Sequence, residues 1–276
     1  MGTSTSSSGG RSGSPFDPEW LAPDGVTPSN SDGETQSDSE QDNVEGAPAS
    51  DSQAGDNVIA PDRRFGPARS QLGSYLRNGS RDNLRGATRS MVSKGMGGAS
   101  RAASTMRSTA RGAGALGQFL AAARDGTDPR VTDWVARCRT ANLSASDLAL
   151  EILKEVISGS GSIDEESLRD SGTDALANLY ENHPDVDIFY LTDAQIAEVI
   201  GLTIANQICH FIDMQLGQTY EKLKHDPAQI QERRTDIREW VWAEVRVTLE
   251  EKKTSYADPK NLAQSVLQSA LQVFAE

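Results

Sequence analysis

The sequence lacks several features that would place it in a familiar class. No apolar run reaches the roughly 18 residues that cross a membrane, and no apolar segment near the start resembles a secretory signal. Its two cysteines, Cys138 and Cys209, lie far apart in segments with helical patterns. Such spacing favours reduced, buried thiols over a disulfide framework. These absences predict a cytoplasmic protein that does not enter a membrane.

Groups that could carry catalysis are also scarce. The three histidines, His183, His210 and His225, are scattered without the spacing of metal ligands. The stretch GAGALG, Gly112 to Gly117, matches the letters of a dinucleotide-binding loop, but no predicted strand precedes it, as such a loop requires. We therefore predict no catalytic residue, no bound metal and no cofactor of the protein's own.

Charge divides the chain into three regions. Residues 1–62 hold twelve acidic residues and one basic residue, residues 63–124 hold twelve basic residues and one acidic residue, and the remainder holds 27 acidic and 14 basic residues. The net charge of −13 therefore conceals a concentrated basic segment.

Residues 1–62 have almost nothing apolar to bury, so we expect a disordered acidic tail. One exception is PFDPEWLAP, which contains Phe16, Trp20 and Leu21. A short segment with aromatic residues in a disordered tail is either a docking motif or a chance grouping.

Residues 63–127 form an Arg/Gly/Ala-rich segment in which the pattern predicts helices. One begins after Pro67, a second carries Leu84 and Met91 on one face, and a third spans about Ser100 to Arg124. Glycines weaken this third helix by about 1 kcal/mol each relative to alanine, but they also permit close packing. Full ordering of the segment could require a partner.

Residues 128–276 are predicted to form an acidic α-helical bundle. Asp-Pro pairs begin at residues 128, 226 and 258 and mark helix starts, as does Thr192, and Ser162 with Glu165 has capping-box spacing. The strand-like stretch 185–191 has nothing to pair with. The fold class is therefore predicted to be all-α, with the basic segment and the long acidic tail preceding the bundle.

Apolar stripes predict which helix faces point inward. The helix from Thr192 has the widest stripe and is expected at the centre of the bundle, with Ile196, Ile200, Ile204, Ile208 and Phe211 along it. The following helix is expected to bury Ile230, Ile237, Trp240, Val241, Val245 and Leu249.

The arginines of the basic segment are candidates for binding. Arg101, Arg107, Arg111 and Arg124 could contact phosphates of a nucleic acid, although aromatic residues for base stacking are nearly absent. Pairing with the protein's own acidic tail and docking on an acidic partner protein are the alternatives.

The first residues suggest a site of covalent modification. Removal of Met1 before the small Gly2 would leave an unhindered α-amine, whose pKa near 8 leaves roughly a tenth of it neutral at pH 7. Thr3 and Ser4 could anchor the strand by hydrogen bonds. The pattern ending at Ser6 also fits N-myristoylation, but one acyl chain binds membranes only marginally, and the acidic tail would be repelled by anionic lipid.

The opening MGTSTSSSGG, the nearby Pro18 and Trp20, the Arg/Gly/Ala-rich middle and the acidic helical C-terminal half resemble the QatB family. This family is a component of the four-gene Qat anti-phage defence system of bacteria. Relative to the family pattern, residues 24–61 look like an insertion.

The resemblance implies a non-enzymatic component that works with a QueC-like enzyme, an ATPase and a TatD-like nuclease. The QueC-like partner is expected to activate a carboxy-deazaguanine with ATP and to join it to Gly2 as an amide. Gly2, Thr3 and Ser4 would then contact the partner, and Phe16 and Trp20 are further candidate contacts. The alternative is a nucleic-acid-binding adaptor that uses the Arg-rich segment.

Overall fold

Amphipathic helices make up the described part of the chain. The structure is a computed structural model that describes residues 64–157, 162–222 and 227–276, and it contains no strand within these ranges. Its helices are α1 Gly66–Asn78, α2 Arg81–Ser90, α3 Ala99–Thr105, α4 Arg107–Asp125, α5 Pro129–Ala141, α6 Ala145–Val156, α7 Ile163–Asn182, α8 Asp193–Leu216, α9 Gln218–Lys222, α10 Pro227–Glu251 and α11 Pro259–Ala275. A π-helical turn, Met91–Gly95, extends α2, and 3-10 turns occur at Ile188–Tyr190 and Lys253–Ser255. The all-α prediction is confirmed, and the expected disorder of residues 1–62 concerns a segment outside the described residues.

Helix α8 lies at the centre of the bundle, as its sequence predicts. It packs against α4, α7, α10 and α11. The four isoleucines of its predicted stripe are buried, whereas Phe211 is half-buried near the end of the helix. In α10 the predicted inward residues are also buried except Ile230, which is half-buried in the first turn.

Capping side chains explain where several helices begin. Asp128 and Asp258 each accept a hydrogen bond from a backbone N–H in the first turn of the helix that follows. Thr192 forms a capping box with Gln195, in which each side chain bonds to the other residue's backbone N–H. Ser162 precedes α7, but its exposed hydroxyl makes no capping hydrogen bond, so that part of the prediction is wrong.

The single helix predicted from about Ser100 to Arg124 is two helices. Met106 separates α3 from α4 because its backbone angles, φ −92° and ψ 24°, leave the helical region. The Met106 side chain is buried, and both α3 and α4 pack against α11. The break at Met106 therefore allows both α3 and α4 to pack against α11. The strand-like stretch likewise becomes a 3-10 turn with Ile188 and Phe189 buried.

Glycines allow α4 to approach α11 closely. A Cβ atom on Gly117 would lie 2.8 Å from Cβ of Pro259, and one on Gly114 would lie 3.2 Å from Cα of Lys260. Gly117, the later glycine of α4, meets Pro259, which is the earlier residue of α11, so the two helices run antiparallel. The GAGALG sequence thus serves helix packing, and no strand precedes it in the described chain.

The basic segment and the acidic bundle share one hydrophobic core. Buried side chains of α1 and α2, such as Leu72 and Leu84, belong to the same cluster as those of α8 and α11. All the described residues from Arg64 to Glu276 belong to one compact unit. The helices of the basic segment therefore find packing surfaces inside this chain.

Candidate functional site

Three arginines of the basic segment are free to meet a partner. Arg101 on α3 and Arg107 and Arg111 on α4 are exposed. None of them takes part in the ion pairs that the described residues form. Arg107 only donates a hydrogen bond to the Ser104 hydroxyl, at 3.2 Å. Their charges are thus uncompensated within the described part of the chain.

Arg124 is placed differently from the other three. Its guanidinium donates to the Asp193 carboxylate at 2.6 Å, to the Asp125 carboxylate at 2.7 Å and to the backbone oxygen of Leu191 at 3.1 Å. The hydrogen bonds to Asp125 and Asp193 raise its pKa. These contacts join the end of α4 to the start of α8, so Arg124 contributes mainly to the fold.

Polar side chains from α7, α8 and α10 line a cavity of about 210 Å³. Beside it, the Gln207 amide donates to the hydroxyls of Ser167 and Ser171 at 2.8 and 2.9 Å. On the other side Arg234 donates to Asp213 at 2.5 Å. These hydrogen bonds join α8 to α7 and α10 to α8 around the cavity. Sequence reasoning missed it because no local pattern shows which helices meet.

Both cysteines are free thiols with raised pKa values. Cys209 is buried in α8, where burial and then the Asp213 carboxylate raise its pKa to about 12. Cys138 of α5 is half-buried in a groove of about 600 Å³ between α5 and α6, where burial and then Glu151 raise its pKa. A raised pKa disfavours the thiolate that nucleophilic catalysis requires. Neither environment activates its thiol.

A polar contact attaches α1 to α10. The hydroxyl of Tyr75 donates to the Asp236 carboxylate at 3.3 Å, and the Arg233 guanidinium lies 5.7 Å from the centre of the tyrosine ring. Burial and then Asp236 raise the pKa of Tyr75 to about 12. The folded chain therefore stabilises the protonated form of Tyr75.

The residues predicted to contact a QueC-like partner, Gly2, Thr3, Ser4, Phe16 and Trp20, lie outside the described residues. Within the described ranges, no group of three His, Cys, Asp or Glu side chains is arranged to hold a metal ion. None of the helices described there is both long and apolar enough to cross a membrane.

Comparison with known families identifies the chain at family level. The family described as "Qat anti-phage system associated protein QatB" matches residues 97–274, which is more than half of the chain and runs from just before α3 almost to the end of α11. Comparisons with curated proteins and with solved structures gave no match. The resemblance inferred from the sequence is thereby confirmed, and the chain belongs to the QatB family of proteins associated with the Qat anti-phage system.

Proposed function

We propose that this chain is a non-enzymatic component of a cytoplasmic anti-phage defence complex, and that a QueC-like partner modifies its N-terminal glycine. Its membership of the QatB family supports a role in anti-phage defence alongside other Qat components. The helical core would serve as a scaffold, and residues 1–62 would carry the glycine to the partner. The Qat ATPase and the TatD-like nuclease are the further expected partners.

The proposed chemistry is amide formation at Gly2. The partner uses ATP to activate the carboxyl group of a carboxy-deazaguanine. The neutral α-amine of Gly2 attacks the activated carboxyl carbon, the C–N bond forms, the activating group departs and the nitrogen loses a proton. Glycine suits this role because no side chain blocks its amine, and Thr3 and Ser4 supply hydroxyls that the pocket could bind.

Intact-mass measurement of the protein co-expressed with its QueC-like neighbour tests this proposal. We expect a mass increase equal to one deazaguanine acyl group, located on Gly2 by peptide sequencing. Gly2→Pro should abolish the increase because its ring hinders the amine, whereas Gly10→Pro, which leaves the first nine residues intact, should not. An unmodified wild-type chain, or a Gly2→Pro variant that still protects cells fully against phage, contradicts the proposal.

A second candidate function is that of a nucleic-acid-binding adaptor. It is supported by Arg101, Arg107 and Arg111, which are exposed and have no ion pair with any described residue. Phosphate binding by such cations weakens steeply as salt rises. We expect a salt-sensitive gel shift that disappears when all three arginines become glutamine, and a shift unaffected by these substitutions would exclude this function.

A further inference from the structure

Three adjacent helices, α3, α4 and α11, contain no acidic residue apart from Asp125 at the end of α4. The sequence has no Asp or Glu from Ala99 to Arg124, which covers α3 and nearly all of α4, or from Pro259 to Ala275, which is α11. Helix α11 packs along both α3 and α4. In a chain with a net charge of −13, this pairing creates a surface from which negative charge is missing.

The outer side of α11 carries a row of amides. Gln264, Gln268 and Gln272 are exposed and recur every four residues, so they lie along one stripe of the helix, and the exposed Lys260 precedes them. Helix α4 has its own exposed stripe with Arg107 and Arg111, also four residues apart.

The two stripes lie on the same side of the helix pair. The contact between α4 and α11 passes through Gly114, which faces Lys260 and Ala263. At 100° per residue, Arg107 and Arg111 lie about 20° and 60° around α4 from Gly114, in the forward sense of the helix. In the same sense, Gln264 and Gln268 lie about 100° and 140° around α11 from Ala263. Because the helices are antiparallel, these two rotations turn both stripes toward the same outer surface.

We propose that this surface, which we call the α4–α11 face, binds a double-stranded nucleic acid. Its members on α4 and α11 are Arg107, Arg111, Lys260, Gln264, Gln268 and Gln272. We include the exposed Arg101 of α3 because α3 also packs against α11. The proposal deepens the second candidate function above and depends on it. The four cations contact phosphates, and the glutamine amides hydrogen-bond phosphate, sugar or base-edge atoms, which are the usual roles of these residue types.

The composition of the α4–α11 face favours a nucleic acid over a protein partner. Protein interfaces are enriched in aromatic and large apolar side chains at their centre. Among the described residues, the large exposed apolar side chain of α11 is Val273, and it lines a separate groove with Trp240 and Phe274. Nucleic-acid interfaces are more polar and more positively charged than protein interfaces, as this face is.

The same composition favours a duplex over a single strand. Proteins that bind single strands stack bases on exposed aromatic rings. The only aromatic residues of α3, α4 and α11 are Phe119, which is half-buried against Trp134 with ring centres 5.0 Å apart, and the buried Phe274. A duplex needs no such rings because its phosphates are contacted from outside.

The salt dependence of binding measures how many cations take part. Four phosphate contacts give a slope of about −3.6 in a plot of log K against log salt concentration. Raising salt from about 50 to 200 mM should then weaken binding by about 150-fold. Fluorescence anisotropy of the full-length protein with a labelled 20-base-pair DNA duplex of mixed sequence gives this slope directly.

Two sets of substitutions separate the contributions of the helices. Arg101→Gln, Arg107→Gln and Arg111→Gln together should weaken binding by at least tenfold and reduce the magnitude of the slope by about 2.7. Gln264→Ala, Gln268→Ala and Gln272→Ala together should weaken binding three- to tenfold without changing the slope, because amides release no counterions. Alanine preserves helix α11, and circular dichroism verifies this. Arg246→Gln, an exposed arginine on α10, is the matched control that should bind like wild type.

Each outcome has a distinct meaning. If the triple Arg→Gln variant loses duplex binding and the triple Gln→Ala variant binds like wild type, the role of α11 is refuted while the second candidate function stands. If the full-length chain binds neither the duplex nor a single strand of the same sequence at 50 mM salt, both this proposal and the second candidate function are refuted. Stronger binding to single-stranded DNA refutes the choice of a duplex, and equal competition by polyglutamate at matched charge refutes the assignment to nucleic acid.

Discussion

Replacing Gly117 by alanine tests the close packing of α4 on α11. The new Cβ atom would lie 2.8 Å from Cβ of Pro259 and 2.5 Å from Cδ1 of Ile200. The isoleucine methyl could rotate away, but the proline ring is fixed at the start of α11. The helices must therefore separate by a few tenths of an ångström or more.

Two opposing terms set the size of the effect. Overpacking of a core costs about 1–3 kcal/mol. Alanine is favoured over glycine within a helix by about 1 kcal/mol. We expect Gly117→Ala to lower the free energy of unfolding by about 1 kcal/mol, equivalent to about 2–4 °C in Tm for a unit of this size.

Gly73→Ala in α1 is the matched control. There the added Cβ would meet Cγ2 of Thr219 at 3.4 Å, an ordinary contact, so the helix preference should stabilise the protein by up to about 1 kcal/mol. Urea denaturation followed by circular dichroism at 222 nm measures both variants. The two changes should have opposite signs. If Gly117→Ala proves as stable as wild type, the reasoning about the α4–α11 contact is refuted.

Three further measurements follow from described contacts. Arg124→Gln should lower the free energy of unfolding by about 1 kcal/mol, a modest loss because the ion pair with Asp193 is partly exposed. The difference from wild type should shrink in 1 M NaCl, because salt screens the ion pair. No loss of stability at low salt would contradict the role of Arg124. Iodoacetamide should label the half-buried Cys138 in the folded protein and Cys209 only after unfolding in urea, and equal labelling rates would contradict their burial. Tyr75 should make the free energy of unfolding fall between pH 10 and about 12, by up to about 1.4 kcal/mol per pH unit, and should have no such effect below pH 10. The reason is that Tyr75 ionises at a lower pH in the unfolded chain than in the folded chain. Tyr75→Phe should reduce this alkaline slope, and an unchanged slope counts against the assignment.

Features that depend on neighbours in sequence could be predicted. Asp128, Thr192 and Asp258 mark helix starts correctly because a cap bonds to backbone N–H groups only two or three residues away. The apolar stripe of α8 identifies a central helix because its width alone requires burial on several sides. Ser162 shows the limit of such patterns, since an exposed hydroxyl can hydrogen-bond water in place of the backbone.

Features that depend on distant residues could not be predicted. The glycines of α4 indicate that some backbone approaches closely, but they do not indicate that Pro259 belongs to it. The exposure of Arg107 and Arg111 follows from helical period, whereas their position beside the amides of α11 depends on helix pairing. The break at Met106 has the same origin, because both resulting helices pack against α11.

The buried amide of Gln207 has a consequence for how the chain selects its native arrangement. Two purely apolar helices can slide along each other with little penalty, since one aliphatic side chain replaces another. Here a slide of one turn, about 5.4 Å, would carry at least one of the Ser167 and Ser171 hydroxyls out of reach. A buried amide that loses its partner costs about 1–3 kcal/mol. The Gln207 hydrogen bonds therefore discriminate among competing alignments of α7 and α8 that hydrophobic burial alone would leave nearly equal in energy.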